Sequence, residues 1–109
     1  MGLAVSTERR DDATVVRLVG DFDLHTSAEV RTTVQELVDG GASGDLLIDL
    51  SGVEFLDSSG LGTLVGLQKR ANRLRVKMAL CALPPQLHKI FDVTQLQDAF
   101  TILPEVPAG

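Results

Sequence analysis

Apolar and polar positions along this chain change period several times, and each change outlines an element. Leu3 to Glu8 and Thr14 to Gly20 read as strands joined through the polar turn Arg9-Arg10-Asp11-Asp12, a hairpin. The second strand, Thr14-Val15-Val16-Arg17-Leu18-Val19, is β-branched and nearly continuous in apolar residues, as a central strand should be; Gly20 is expected to end it. After the loop Asp21-Phe22-Asp23-Leu24-His25, the spacing of Thr26 to Glu29 is that of a capping box. Val30, Val34, Leu37 and Val38 then recur at helical spacing until Gly40-Gly41 stops the helix.

Leu46 to Leu50 predict a short buried strand, and a helix is expected from Ser58 to about Leu74. Val76 to Cys81 form the next strand. Pro84-Pro85 opens a helix with Leu87, Ile90 and Phe91 on one side, proline being favoured in a first turn. Ala99 to Leu103 are expected as a last edge strand before a Pro-containing tail. Strands alternating with helices give the fold class: one α/β domain over residues 1–109, an N-terminal hairpin followed by alternating β/α units in a mainly parallel mixed sheet. No repeat, linker or low-complexity segment interrupts it.

Composition narrows the function classes. A 109-residue chain buries roughly two-thirds of its unfolded surface, and with four Phe and no Tyr or Trp its core must be aliphatic. The net charge of −5 opposes a nucleic-acid or anionic-membrane partner, because phosphates attract basic faces. Cys81 is the single cysteine, which excludes an internal disulfide and a thiolate-rich metal site; a buried thiol at a strand end is expected. The N-terminus lacks the pattern of a secretory signal, and no apolar run approaches the ~20 residues of a membrane span. A cytoplasmic protein is the default.

The candidate chemistry sits in Asp57-Ser58-Ser59-Gly60-Leu61-Gly62, where the chain leaves a strand and enters a helix. Backbone N–H groups are unpaired there and the helix dipole favours negative charge. A serine so placed can be a cap, a nucleophile or a phosphate acceptor. A hydrolase needs a base, and His25 and His88 read as ordinary surface residues; the nucleophile-elbow pattern is absent, with Leu56 in place of its first glycine. No Gly-Lys-Ser/Thr follows the strand, so a phosphate-cradling loop fails as well. Asp21, Asp23, Asp49, Glu54 and Asp57 invite an acyl-phosphate receiver or a magnesium site. A receiver needs a lysine where this chain reads Cys81-Ala82-Leu83-Pro84, so solvated loop carboxylates are expected.

The helix after Ser58 carries an apolar arc of Leu61, Leu64, Val65, Leu67, Ala71 and Leu74 beside a stripe of Gly62 and Gly66. Each helical glycine costs about 1 kcal/mol relative to alanine, so something is expected to pack close to the stripe. That neighbour is either the protein's own sheet or another protein on a shallow docking surface. Lys69, Arg70, Arg73, Arg75 and Lys77 read as a solvated basic helix end that can also meet an acidic partner.

Taken together, Gly20-Asp21-Phe22-Asp23, the run from Leu47 to Leu56 (LIDLSGVEFL) and Asp57-Ser58-Ser59-Gly60-Leu61-Gly62 resemble the STAS domain of anti-sigma factor antagonists. Leu87-His88-Lys89-Ile90-Phe91 extends the similarity to nearly the whole chain. The resemblance implies a regulatory protein without a cofactor, not an enzyme. Ser58 would be phosphorylated by its partner, an anti-sigma factor that is itself an ATP-dependent serine kinase. The unphosphorylated form would bind that kinase and free a sigma factor, and a metal-dependent serine phosphatase would restore it. Ser59 matches a position where the family uses Ser or Thr, which makes Ser58 the acceptor. The implied partner-binding residues are Asp23, Asp57, Ser58, Ser59, Gly60, Leu61 and Gly62. A second implied role is that of a STAS interaction subunit in a transporter or lipid-transfer complex; the missing membrane segments and the intact Asp57-Ser58 favour the first. The family often ends in a further helix, where this sequence has a short tail.

Overall fold

The computed structural model describes residues 2–40 and 44–108. Strands β1 (Leu3–Arg9) and β2 (Ala13–Phe22) form the expected hairpin, pairing antiparallel from Leu3↔Gly20 to Arg9↔Thr14. The Arg10 N–H donates to the Ala13 carbonyl at 2.7 Å to close its turn. The chain continues through α1 (Ser27–Asp39), β3 (Asp45–Leu56), α2 (Ser58–Arg73), β4 (Met78–Cys81), α3 (Pro85–Thr94) and β5 (Thr101–Leu103). Each strand lies beside its predecessor, in the order β1-β2-β3-β4-β5, and all pairs after the hairpin are parallel.

That order decides where the helices go. Right-handed crossovers that step in one direction across a sheet place every connecting helix on the same face. One core results, in which Val16, Leu18, Leu46, Ile48, Leu50 and Leu80 of the sheet meet residues of all three helices. Val30 and Val34 come from α1, Leu64 and Leu67 from α2, Leu87 and Phe91 from α3. Phe100 closes one end, edge-on to Phe91 with ring centroids 5.4 Å apart. Between α1 and α2, Arg70 of the basic helix end makes a bidentate pair with Asp39 at 2.7 and 2.8 Å.

The opposite face carries a smaller cluster of Ala13, Val15, Leu47, Ala79 and Cys81. Leu103 and Val106 of the C-terminal segment pack on it, and Arg10 donates to the Pro107 carbonyl at 2.7 Å to hold that segment down. A hollow of about 710 Å³, whose walls include Ala13, Leu47, Ala79 and Pro107, opens beside this cover.

Several boundaries depart from the periodicity. β2 does not stop at Gly20: that residue takes φ +119°, the register shifts, and the strand runs on to Phe22. β3 continues past Leu50 to Leu56, because the turn-like Ser51-Gly52 is an irregularity inside a strand still paired with β2 (Val19↔Gly52, Phe22↔Leu56). A Cβ on Gly52 would lie 2.8 Å from Val19 Cγ2, so glycine is there for contact and not for a turn. Val76 falls outside β4, and Leu74 is 49% exposed rather than buried in the arc. Both follow from Arg75, whose left-handed backbone (φ 61°) turns the chain away after α2. Ala99 belongs to a 3₁₀ turn, Gln97–Ala99, which shortens the last strand to Thr101–Leu103. Gly40 donates to the Glu36 carbonyl at 2.9 Å as α1 ends; Gly41 lies outside the described residues.

Cys81 is fully buried, and burial, with Asp49 nearby, pushes its thiol pKa from 9.0 up to about 11. The unfolded thiol ionises first, so Cys81 makes the fold lose stability as pH rises from about 9 to about 11. Urea melts across that window should show this loss in the wild type and its absence in Cys81→Ala.

Candidate functional site

Because β3 runs so far, Asp57 alone links it to α2. Its backbone is extended (φ −100°, ψ −176°), which aims the carboxylate at the helix it precedes. Oδ1 accepts the Gly60 N–H at 2.9 Å, and Oδ2 accepts the Leu24 N–H at 3.1 Å from the loop after β2. These bonds, the Gly60 one foremost, hold the Asp57 carboxyl below the usual carboxylate range despite partial desolvation. The Asp57 N–H in turn donates to the Phe22 carbonyl at 3.3 Å. That carbonyl also lies 2.5 Å from where a Cβ on Gly60 would stand, with Leu56 Cδ1 at 2.8 Å. The first turn of α2 is thus seated directly on the end of β2, and only glycine leaves room.

The loop itself is a closed hydrogen-bonded unit. Asp23 Oδ1 accepts the N–H groups of His25 (2.9 Å) and Thr26 (3.2 Å). The Thr26 hydroxyl accepts the Asp23 N–H at 3.0 Å and donates to the Asp21 carbonyl at 2.8 Å. The capping box expected from Thr26 and Glu29 therefore does not form: Thr26 has near-helical backbone (φ −108°, ψ −11°) and makes no side-chain cap. Unpaired groups of the loop compete for its hydroxyl and win.

Ser58 is exposed and Ser59 half-buried at the start of α2. Asp57 supplies the cap, so the Ser58 hydroxyl stands at a helix N-terminus without being needed to build it. A groove of about 320 Å³ opens beside it between α1 and α2. The α2 wall includes Ser58, Ser59, Gly62, Thr63 and Gly66; the other wall is Leu24, Ser27, Arg31 and Gln35. Thr63 donates to the Ser59 carbonyl at 2.9 Å and accepts from Arg31 Nη2 at 3.4 Å, a relay that points the guanidinium toward the first turn of α2.

The structure brings Ser58, Ser59 and Gly62 into one groove. Gly60 is buried beneath it, and Leu61 packs at the edge of the core. Asp23 is tied to the site through its neighbour Leu24, while its own carboxylate turns into the loop. The sheet does not press on the glycine stripe: a Cβ on Gly62 or Gly66 would meet nothing within 4 Å. Of the two neighbours considered for that stripe, the protein's own sheet is ruled out. His25 and His88 are both exposed, and among the described residues no group of three or more His, Cys, Asp or Glu is placed to hold a metal. The α1 wall lies outside the expected site residues, although Ser27, Arg31 and Gln35 recur every four residues and so share a helix face. Leu24, 67% exposed, interrupts an otherwise polar loop.

Comparison with known proteins gives a consistent picture. The family model described as STAS domain matches residues 4–108. An anti-sigma F factor antagonist of Paenibacillus polymyxa is 34% identical over 104 residues, covering 95% of this chain and 86% of the relative. An anti-sigma-B factor antagonist of Bacillus subtilis is 29% identical over 109 residues, 100% and 98% of the two chains. Among solved structures, an anti-sigma factor antagonist from Mycobacterium paratuberculosis superposes with a TM-score of 0.84 at 26% identity, covering 95% of this chain and 87% of the other.

The three glycines of α2 should separate cleanly in urea melts. Gly60→Ala is expected to lose on the order of 1–3 kcal/mol by overpacking against Phe22. Gly62→Ala and Gly66→Ala should each gain up to about 1 kcal/mol. Asp57→Asn should destabilise the protein most at neutral pH. A lowered folded pKa stabilises above the unfolded value, near 3.9, and that contribution is lost as pH falls through the folded value; the two stability curves should converge in acid.

Proposed function

The chain belongs to the STAS domain family, and on that premise we propose that it is an anti-sigma factor antagonist switched by phosphorylation of Ser58. It is a regulatory protein and not an enzyme. In its unphosphorylated form it binds an anti-sigma factor serine kinase and so frees a sigma factor, which places it in the cytoplasm. The observation that carries this reading is the open Ser58 hydroxyl, next to a cap made by another residue and at the mouth of a groove. The intact Asp57-Ser58 pair and the names of its relatives favour this role over that of a transporter or lipid-transfer subunit.

The chemistry belongs to the partner. Ser58 Oγ forms a bond to the γ-phosphorus of ATP, the bond from that phosphorus to the β–γ bridging oxygen breaks, ADP leaves, and the hydroxyl proton passes to a base of the kinase. A metal-dependent phosphatase reverses the modification by hydrolysis. Phosphoserine adds about −1.5 to −2 charges near neutral pH. A helix N-terminus tolerates that charge, so the backbone has no reason to move. A docked partner does not tolerate it. A charge misplaced in a desolvated contact costs several kcal/mol, and each 1.4 kcal/mol is tenfold in affinity. Asp57, Ser59, Leu61 and Gly62 surround the acceptor above the buried Gly60, with Asp23 behind Leu24, and we assign the kinase contact to this surface.

In pull-downs with a candidate anti-sigma factor kinase, Ser58→Ala should bind as the wild type does and Ser58→Asp should bind at least tenfold more weakly; equal binding by both removes the switch. With ATP present, Ser58→Ala should accept no phosphate and Ser59→Ala should still accept it. Amide shifts between the two forms should change around Ser58 and the groove beside it and leave the rest of the fold unmoved.

A further inference from the structure

Where the phosphate goes once it is attached depends on what surrounds it, and the groove has a distinctive charge. Among its described lining residues, Arg31 is the one cation and there is no carboxylate, in a protein of net charge −5. Two acids of the adjoining cap and loop are already engaged by backbone donors, Asp57 by the N–H groups of Gly60 and Leu24, Asp23 by those of His25 and Thr26. Arg31 contrasts with the other arginines that bridge elements. Arg10 and Arg17 pair with Glu8, Arg17 also lies 3.6 Å from Asp49, and Arg70 pairs with Asp39. Arg31 instead makes one long bond, 3.4 Å, to a neutral hydroxyl on the wall that carries Ser58.

A guanidinium has five N–H donors in a fixed fork suited to paired oxygens, and one weak bond to Thr63 leaves most of them unused. Its side chain is exposed and long enough to swing along the groove. We propose that Arg31 binds the phosphate of phosphorylated Ser58, drawing the modified side chain into the groove between α1 and α2. The phosphate then fills the groove as well as repelling what would dock there. The unmodified protein holds the same arginine in readiness through the Thr63–Ser59 relay. This rests on reading Ser58 as the acceptor; it adds a receptor for the phosphate within the same chain.

The test places phosphoserine at position 58 during translation, so no kinase is needed, and follows the phosphate by phosphorus-31 NMR as pH is varied. The second ionisation, near 6 for an ordinary phosphoserine, should lie lower with Arg31 than in Arg31→Gln by at least about half a unit. Arg31→Lys, which keeps the charge and loses the fork, should fall between them. The helix N-terminus acts equally in all three chains, so the difference isolates the guanidinium. Identical titrations overturn the proposal. Arg31 is exposed, and circular dichroism of each variant establishes that it folds; Arg31→Lys supplies the comparison should Arg31→Gln not fold. The outcomes also separate this idea from the switch. Identical titrations alongside kinase binding that still distinguishes Ser58→Ala from Ser58→Asp remove the receptor and keep the switch. An Arg31-dependent titration alongside kinase binding indifferent to position 58 does the reverse.

Discussion

The carboxylate of Asp57 fastens together the two pieces of backbone from which the site is made. One oxygen caps α2 and the other holds the loop after β2. Neither piece is fixed by the sheet alone, because both lie beyond the strand ends, where ladder bonds stop. The Phe22 carbonyl adds a second point of approach, receiving the Asp57 N–H while pressing on Gly60. A larger residue at position 60 would lift the helix, lengthen both carboxylate bonds and open the groove between α1 and α2. The hydroxyl at position 58 takes its setting from these constraints and contributes to none of them.

The same economy governs the whole sheet. Sequential parallel strands with helices on one side give a strong core on that side and leave the other to a short C-terminal segment. Because β2 and β3 run parallel, α1 and α2 both start at the same end of the sheet, beyond the C-terminal ends of those strands. Sites in parallel α/β sheets gather there for this reason. The 710 Å³ hollow beside Arg10 and Pro107 has none of the groove's residues in its walls.

Most of this arrangement was legible in the residues. Helical spacing of Val30, Val34 and Val38 and the apolar run of Leu46 to Leu50 identify elements whose apolar residues are buried in the core. Asp57-Ser58 marked a helix start because capping is a local interaction between neighbours in sequence. What could not be read were outcomes of competition between segments. Thr26 had two possible uses for its hydroxyl, and the loop's unpaired groups decided between them. Ser51-Gly52 resembles a turn until β2 is beside it to continue the ladder. The close approach expected at Gly62 and Gly66 falls instead on Gly60, the one of the three α2 glycines that faces another backbone. The pairing of Arg31 with Thr63 spans 32 residues and has no local signature.

The geometry of β1 bears on how the molecule can be handled. Its first residue pairs with Gly20, and the Gly2 carbonyl accepts the Asp21 N–H at 3.2 Å, next to Phe22, whose carbonyl accepts the Asp57 N–H. Anything fused ahead of Gly2 therefore emerges beside the face assigned to docking. Material appended after Ala108 emerges near Arg10, across the sheet. Purification handles and fluorescent labels belong at the rear of this molecule, where they leave its working end unobstructed.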